Sequence, residues 1–308
     1  MIFLCYNQIE SKNAKGRTIM KKIVILGCEN SHANNFLKFI KNDPEFSDVD
    51  VIGVYSDEEE PPKKLQETYG VPIMQSYDEA VGKVDGVIIT ARHGKNHYKY
   101  AKPYMKSGVP MFIDKPITVD EDEAVEMMRE FAAHGIEFTG GSSLKYAEYI
   151  LRLKEAADNA TDGETVGGFM RAPIVCDSPY GGFYFYAQHL IEMVMTVFGP
   201  YPQSVIANKC DKSISVIFRY PEYDINGLYA DNVWQYNAVR IAKNGSQTEL
   251  DTKGNGSDRV EFKKFHDVLF GEKANTDPKE FIYPVFVMNA IMRSLASGKE
   301  EKIHEVII

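Results

Sequence analysis

The N-terminal part of the chain alternates short apolar runs with stretches whose apolar residues recur at helical spacing. The apolar runs predict buried strands at 22–27, 50–56, 84–90, 109–114 and 136–141, with a further short strand at VPIM, 71–74. Helices are predicted between them at 34–41, 63–69, 97–108 and 120–135, with a helical turn at 77–82. Strands separated by helices of this length imply right-handed crossovers. We therefore predict a Rossmann-type, doubly wound parallel sheet over residues 20–142.

Residues 143–308 show a different pattern. After a predicted helix at 145–160, short runs such as SVIANKC and ISVIFRY alternate apolar and polar positions, which is typical of antiparallel strands. Two more helices are predicted at 186–198 and 279–297. This pattern indicates a C-terminal α+β domain with a mainly antiparallel sheet. Because an uncovered sheet face of this size needs a partner, we expect that face to contact another subunit.

Composition and charge narrow the classes of partner. The 308 residues are 44% hydrophobic and 26% charged, as in an ordinary globular protein, and the net charge of −9 argues against nucleic acid or an anionic membrane. No apolar run is long enough to span a bilayer. The cysteines show no CxxC spacing, which favours reduced thiols in a cytoplasm. Since MKKIVILG is a natural start for the first strand, residues 1–19 are interpreted as an N-terminal extension.

The loops at the carboxyl ends of parallel strands are where such a sheet binds ligands. The stretch ILGCENSHANNF follows the first strand. Gly27 permits a tight turn there, and Ser31 is expected to cap a helix whose N-terminus attracts an anion. Glu29 places a carboxylate where the backbone should approach a pyrophosphate. A cofactor loop and a plain strand-to-helix turn therefore both remain open.

The loops after the second and fourth strands carry further polar residues. Ser56 and Asp57 precede three glutamates, and an acidic residue at this point can bind a ribose hydroxyl, which favours NAD over NADP; a solvated acidic loop is the alternative. Thr90, Arg92 and His97 lie near a helix start that would face a nicotinamide ribose, although each alone also fits a capped helix. No His-Glu-His spacing occurs, so no metal site is predicted.

The loop after the next strand carries the most specific motif, FIDKPIT. The stretch SGVPMFIDKPIT resembles the Glu-Lys-Pro segment of the glucose–fructose oxidoreductase and inositol dehydrogenase family (Gfo/Idh/MocA), with Asp114 in place of the usual glutamate. The resemblance implies that Lys115 contacts both cofactor and substrate. A lysine at the base of a cleft can orient a hydroxyl or carbonyl oxygen and lower the barrier to proton transfer.

The resemblance continues at YGGFYFYAQHLIEMVMTVFG, 180–199, where His189 matches the family's histidine and Glu192 its later acid. It implies that His189 shuttles a proton, which suits a histidine near neutral pH; a histidine hydrogen-bonded in the seam between domains is the alternative. Phe185 stands where the family commonly has aspartate, so the usual lysine–aspartate–histidine set is incomplete. Tyr186 and Glu192 are predicted substrate contacts.

The resemblance covers residues 20 to about 300 and implies a cytoplasmic NAD(P)-dependent oxidoreductase. Its reaction would transfer a hydride between nicotinamide and a secondary alcohol or ketone of a sugar, cyclitol or related polyol, in a homodimer or homotetramer. Residues 143–308 would form the substrate-binding and oligomerisation domain. The predicted catalytic residues are Lys115 and His189, and the predicted cofactor contacts are Gly27, Asn30, Ser31, His32, Ser56, Asp57, Thr90, Arg92, His97, Asp114 and Lys115.

Two other functions remain open. Glu29 and Phe185 favour a family member that has lost catalysis and acts as a nucleotide- or sugar-binding sensor. NAD-assisted lyase or glycosidase chemistry is also possible on this scaffold.

Overall fold

The computed structural model describes residues 19–250 and 257–308. The first sheet has five parallel strands in the order β2-β1-β3-β4-β5. They are β1 (Lys21–Leu26), β2 (Val49–Tyr55), β3 (Gly86–Ile89), β4 (Met111–Asp114) and β5 (Phe138–Gly141). This confirms the predicted doubly wound parallel sheet. Apart from residue 19, the predicted N-terminal extension lies outside the described residues.

Helices cover both faces of this sheet: α1 (Ser31–Asn42), α2 (Glu60–Tyr69), α3 (Lys95–Ala101) and α4 (Glu121–His134). Successive residues of β1 point to opposite faces, so that Ile23 packs in one core with Phe36 of α1, and Val24 packs in another with Met127 of α4. A strand buried on both sides is apolar at every position, which explains the unbroken run IVIL, 23–26.

The predicted strand at VPIM is wrong. The segment makes only an isolated bridge, Val54 with Ile73, in which the Val54 N–H donates to Pro72 O at 2.9 Å and the Met74 N–H donates to Val54 O at 2.9 Å. Pro72 has no N–H of its own, so the ladder cannot extend in that direction. The backbone therefore touches the sheet edge without joining it as a strand.

The second sheet has seven strands in the order β11-β10-β6-β9-β8-β7-β12. They are β6 (Thr165–Ile174), β7 (Ser204–Cys210), β8 (Ser213–Arg219), β9 (Asp224–Asp231), β10 (Asn237–Ala242), β11 (Gly245–Leu250) and β12 (Glu301–Lys302). Within the described part of the chain, β6 and β9 pair in parallel and the other neighbours pair antiparallel. The helices α5 (Glu148–Asp158), α6 (Tyr184–Phe198) and α8 (Pro278–Ser297) pack against this sheet. The predicted fold class is confirmed.

Helix α7 (Ser257–Leu269) is absent from the sequence-based prediction. Although it follows the strands of the second sheet, it packs against the first one: the Phe262 ring lies 5.0 Å from Phe36 and 4.8 Å from Phe46, and Phe265 lies 6.3 Å from Phe112. The proposed division into domains at residue 142 stays a prediction. The first residues of α7 reach the carboxyl edge of the parallel sheet.

None of the helices within residues 19–250 and 257–308 has the length and apolar character of a membrane span.

Candidate active site

A cavity of about 540 Å³ opens between the carboxyl edge of the parallel sheet and helix α6. Lys115 enters it from the loop after β4, His32 from the start of α1, and Arg92 from the loop after β3. Tyr186 and His189 enter from α6 on the opposite side. The structure thus brings together the lysine and the histidine that lie 74 residues apart in the sequence (189 − 115).

Lys115 is 5% exposed, and its ammonium lies among one carboxylate and two aromatic rings. Its Nζ stands 3.9 Å from Asp114 Oδ2, 5.3 Å from the centre of the Phe185 ring and 5.5 Å from that of Tyr186. Phe185 therefore offers a π face where the family commonly supplies a carboxylate. An ammonium over a ring is attracted more weakly than one in a buried ion pair.

His189 is buried in the wall of the cavity, with its Nδ1 2.7 Å from Ser142 Oγ. Burial, reinforced by the positive charge of Lys115, holds the pKa of His189 well below its usual value. The imidazole is therefore neutral near pH 7 and can accept a proton. Its ring lies 5.3 Å from that of Tyr186.

Asp114 is fully buried and organises the residues behind Lys115. Its Oδ2 accepts from Asn30 Nδ2 at 2.8 Å and from His32 Nδ1 at 2.8 Å, and its Oδ1 accepts from the Lys115 N–H at 2.7 Å. Burial opposes its ionisation, but the charges of His32 and Lys115 outweigh that effect and hold the pKa of Asp114 below its usual range. Asn30, which the sequence did not identify as the cap, caps α1 in place of the predicted Ser31, accepting from the His32 N–H.

The turn after β1 depends on glycine. Gly27 has φ +78°, and a Cβ there would stand 2.3 Å from Ala91 Cα in the loop after β3. The two loops of the switch point therefore touch backbone to backbone, which is the geometry that a dinucleotide-type turn requires.

Glu29 closes this turn from within. Its Oε1 accepts the Arg92 N–H at 2.9 Å, and its Oε2 accepts from Ser56 Oγ at 2.7 Å. The carboxylate thus links the loops after β1, β2 and β3 across the place where a pyrophosphate would approach. Beside Lys115, the cavity offers an ammonium and two aromatic rings that would hold the nicotinamide end of a dinucleotide. At the pyrophosphate turn the dinucleotide fits only after Glu29 releases these two bonds.

Several predicted cofactor contacts hold loops instead of facing the cavity. Thr90 and His97 are fully buried; Thr90 Oγ1 donates to Gly27 O at 3.0 Å, and His97 Nε2 donates to Ala91 O at 2.6 Å. Asp57 is exposed after β2, as predicted, but its carboxylate accepts from Tyr55 Oη at 2.8 Å and from Lys99 Nζ at 3.1 Å. These side chains therefore position the turns around Gly27.

Glu192 also differs from its predicted role as a substrate contact. Its carboxylate is 8% exposed and accepts from the Ser142 N–H at 2.8 Å, from Gln188 Nε2 at 2.5 Å and from Lys145 Nζ at 2.9 Å. Burial lowers the pKa of Lys145, but the charge of Glu192 outweighs this and raises it above its usual value. The pair fastens α6 to the segment after β5. Glu192 is not part of the lining of the cavity that contains Lys115 and His189.

Tyr180 and Asp258 line the cavity but were not predicted from the sequence. Tyr180 bridges two loops, since its Oη accepts from Arg92 Nη1 at 3.2 Å and donates to Glu58 at 3.0 Å. Asp258 lines the cavity from α7. The aromatic run YGGFYFY marks the position of Tyr180, whereas no motif marks Asp258.

A doubly wound parallel sheet, a second mainly antiparallel sheet and a cavity between them define the class of two-sheet α/β proteins built on a dinucleotide-type core. Residues 21–141 match the model of the "Oxidoreductase family, NAD-binding Rossmann fold", which confirms the resemblance to the Gfo/Idh/MocA family over this part of the chain.

Individual relatives agree with this assignment. The chain is 24% identical over 132 residues to the uncharacterized oxidoreductase YhhX of Escherichia coli strain K12, a match that spans 40% of this chain and 38% of that protein. Its fold resembles myo-inositol 2-dehydrogenase from Lactobacillus plantarum, with a TM-score of 0.79 at 14% identity over 92% of this chain and 99% of that one. It also resembles scyllo-inositol dehydrogenase from Lactobacillus casei with bound NAD(H) and scyllo-inositol, with a TM-score of 0.79 at 13% identity over 92% and 99% of the two chains.

Proposed function

We propose that this protein is an NAD-dependent oxidoreductase acting on a secondary alcohol or ketone of a cyclitol, sugar or related polyol. The observation that carries the proposal is the meeting of Lys115 and His189 in one cavity at the carboxyl edge of a family-typical sheet. The inositol dehydrogenases of the same fold support a cyclitol or polyol as the substrate class. The acidic loop at Asp57 supports NAD over NADP, because a 2′-phosphate would meet negative charge there.

In this proposal the two side chains share the proton chemistry. The Lys115 ammonium donates a hydrogen bond to the reacting oxygen and stabilises the negative charge that develops on it. The neutral His189 imidazole accepts the hydroxyl proton during oxidation and returns it during reduction. Bound NAD would supply the hydride acceptor. The aromatic walls at Phe185 and Tyr186 keep water away from the ammonium.

Replacement of Lys115 tests the assignment. NADH absorbance would be followed with a panel of inositols and hexoses for the wild type and for Lys115→Ala. We expect kcat/KM to fall by about a hundredfold or more, the usual contribution of a positioned acid–base group. Lys106→Ala, at an exposed lysine, is the matched control and should keep wild-type kinetics. A wild-type kcat/KM in Lys115→Ala would reject the role, and no binding of NAD(H) or NADP(H) by the wild type would reject the enzyme.

A second function is favoured by the contacts of Glu29. A carboxylate bonded across the pyrophosphate turn weakens dinucleotide binding, and Phe185 removes the usual carboxylate beside Lys115. A sugar- or nucleotide-binding sensor would need the cavity but not the hydride transfer. Saturable binding of a cyclitol in calorimetry, with no turnover on any substrate of the panel, would favour the sensor.

We further propose that the protein acts in the cytoplasm as a homodimer or homotetramer. The support is the uncovered face of the second sheet and the spacing of the cysteines.

A further inference from the structure

A second group of polar side chains adjoins the cavity, where α1, β4 and the start of α7 meet. His32 lies at its centre, 6% exposed, with Nδ1 2.8 Å from Asp114 Oδ2 and Nε2 3.3 Å from Asp258 Oδ1. A third carboxylate, Glu261, approaches with Oε2 3.9 Å from the same Nε2. One ligand atom from each of His32, Asp258 and Glu261 lies within 4.8 Å of the other two.

Glu261 is the residue that this packing does not explain. Its side chain is 1% exposed, and among the described residues no hydrogen-bond donor reaches either of its oxygens. Buried carboxylates are ordinarily hydrogen-bonded or paired, because desolvation of a charge is costly. Its neighbours satisfy that rule: Asp258 also accepts from Asn35 Nδ2 at 2.7 Å, and Asp114 also accepts from Asn30 Nδ2 at 2.8 Å. Glu261 therefore has two buried oxygens that accept no hydrogen bond from the described residues, and one of them lies 3.9 Å from the imidazole.

The carboxylates of this group also outnumber the cationic side chains beside them. Asp114 has Lys115 at 3.9 Å, and the nearby Lys145 is bound to Glu192 at 2.9 Å. Asp258 and Glu261 are left to face one imidazole. In a metal complex, His32 would give its Nδ1 proton to the hydrogen bond with Asp114 and present a lone pair on Nε2, and one divalent cation would neutralise the two deprotonated carboxylates.

We propose that His32 Nε2, Asp258 and Glu261 form a binding site for a divalent first-row transition metal ion such as Zn²⁺ or Mn²⁺. One imidazole and two carboxylates are a donor set for such ions, whereas Mg²⁺ and Ca²⁺ favour oxygen ligands alone. Asp114 fixes the ring through Nδ1, as carboxylates behind metal-binding histidines commonly do. Ligand atoms around a tetrahedral ion stand roughly 3.3 Å apart. The contact between His32 Nε2 and Asp258 has that spacing, whereas Glu261 Oε2 stands 3.9 Å from the same nitrogen and would have to move closer.

The site faces the cavity, because His32 and Asp258 belong to its lining together with Lys115 and His189. A coordination position on that side is open to water or to a substrate oxygen. The ligands were not predictable from sequence spacing, since 226 residues separate His32 from Asp258. The proposal does not depend on dinucleotide binding.

Metal binding to the full-length protein tests the site. After treatment with EDTA and buffer exchange, Zn²⁺ would be titrated by calorimetry and Mn²⁺ by electron paramagnetic resonance. We expect one equivalent per chain, competition between the two ions and a higher Tm with metal. Glu261→Gln keeps the shape but removes the charge, and should weaken binding at least tenfold and abolish the rise in Tm.

Asp48→Asn is the matched control, because it removes a carboxylate from another histidine contact of α7, His266 Nε2 with Asp48 at 2.9 Å, and should bind like the wild type. If Glu261→Gln does not fold, as judged by circular dichroism, Asp258→Asn takes its place, since that side chain is 31% exposed. No stoichiometric binding by the wild type would overturn the proposal. Equal metal affinities of the tested ligand variant and of Asp48→Asn would also overturn it. Because the measurements use metal alone, their failure is separate from any failure to find a dehydrogenase.

Discussion

At the scale of single residues, Glu29 has the largest consequence for cofactor binding. Two loops that would cradle a pyrophosphate are held by its carboxylate, through the Arg92 N–H and Ser56 Oγ. A dinucleotide must break both bonds and then share the turn with a negative charge. The sequence predicts the charge at this position but not its partners, because Ser56 and Arg92 come from other strands.

Glu29→Gln is therefore expected to bind NADH more tightly, by about tenfold. Removal of one negative charge close to two phosphates changes the interaction by about 1–2 kcal/mol at an effective dielectric constant between those of protein and water. NADH fluorescence titration measures the dissociation constant directly. Glu59→Gln is the control: Glu59 pairs with the exposed Lys63 at 3.3 Å, so its affinity should match that of the wild type. Equal or weaker binding by Glu29→Gln would contradict the inhibitory role of the carboxylate.

Residue-scale prediction from the sequence succeeded where a motif carries the chemistry. The segment FIDKPIT identifies Lys115, and the stretch YGGFYFYAQHLIEMVMTVFG identifies His189; both line the cavity, and their catalytic roles stay predictions. Asp258 and Glu261 were not predicted, because α7 carries no motif. His32, which these two side chains contact, lies more than two hundred residues away in the sequence. The prediction also gave Thr90 and His97 to the cofactor, although burial makes them holders of loops.

At the scale of elements, α6 is positioned by a buried ion pair as well as by its apolar face. Glu192 of α6 accepts from Lys145 Nζ at 2.9 Å and from the Ser142 N–H at 2.8 Å, and both partners lie in the segment after β5. This pair sets where His189, three residues earlier on the same helix, meets the end of the parallel sheet. The contact couples the two sheets through the helix that carries a proposed catalytic residue.

Glu192→Ala is expected to lower the free energy of unfolding by about 2–3 kcal/mol, because it leaves the Lys145 ammonium without its counter-charge and the buried Ser142 N–H without an acceptor. Urea denaturation followed by circular dichroism measures the change. Glu148→Ala serves as the control, since it breaks only the exposed contact with Arg152 at 2.8 Å and should cost less than about 1 kcal/mol. A loss in Glu192→Ala no larger than that of the control would show that the pair does not hold α6.

The type of an element could be predicted wherever every residue of an apolar run is buried. The β1 run is apolar because helices cover both faces of the sheet, so its sequence is unambiguous. VPIM looked similar but stops at a single bridge because of Pro72. Helix α7 was not predicted because charged residues separate its phenylalanines, which pack on one side only.

At the scale of the whole molecule, helices cover one face of the second sheet, and no helix among the described residues covers the other face. The strand register aligns Ile206 with Ile217 on β7 and β8, and Phe169 with Val239 on β6 and β10, with the exposed Asn226 of β9 between the two pairs. These four apolar side chains are partly exposed on the side opposite the core. An apolar row of this length across a sheet is typical of a surface that pairs with a second copy.

Ile217→Lys is expected to dissociate the proposed homo-oligomer, because it places a charge within that row, where a partner sheet would have to desolvate it. Multi-angle light scattering after gel filtration, over a hundredfold range of concentration, should give at least a tenfold higher dissociation constant for Ile217→Lys than for the wild type. Val260→Lys, at an apolar side chain 44% exposed on α7, should leave the assembly unchanged. A wild type that remains monomeric throughout that range would refute the assembly. If Ile217→Lys leaves the dissociation constant of the assembly unchanged, the interface lies elsewhere on the molecule.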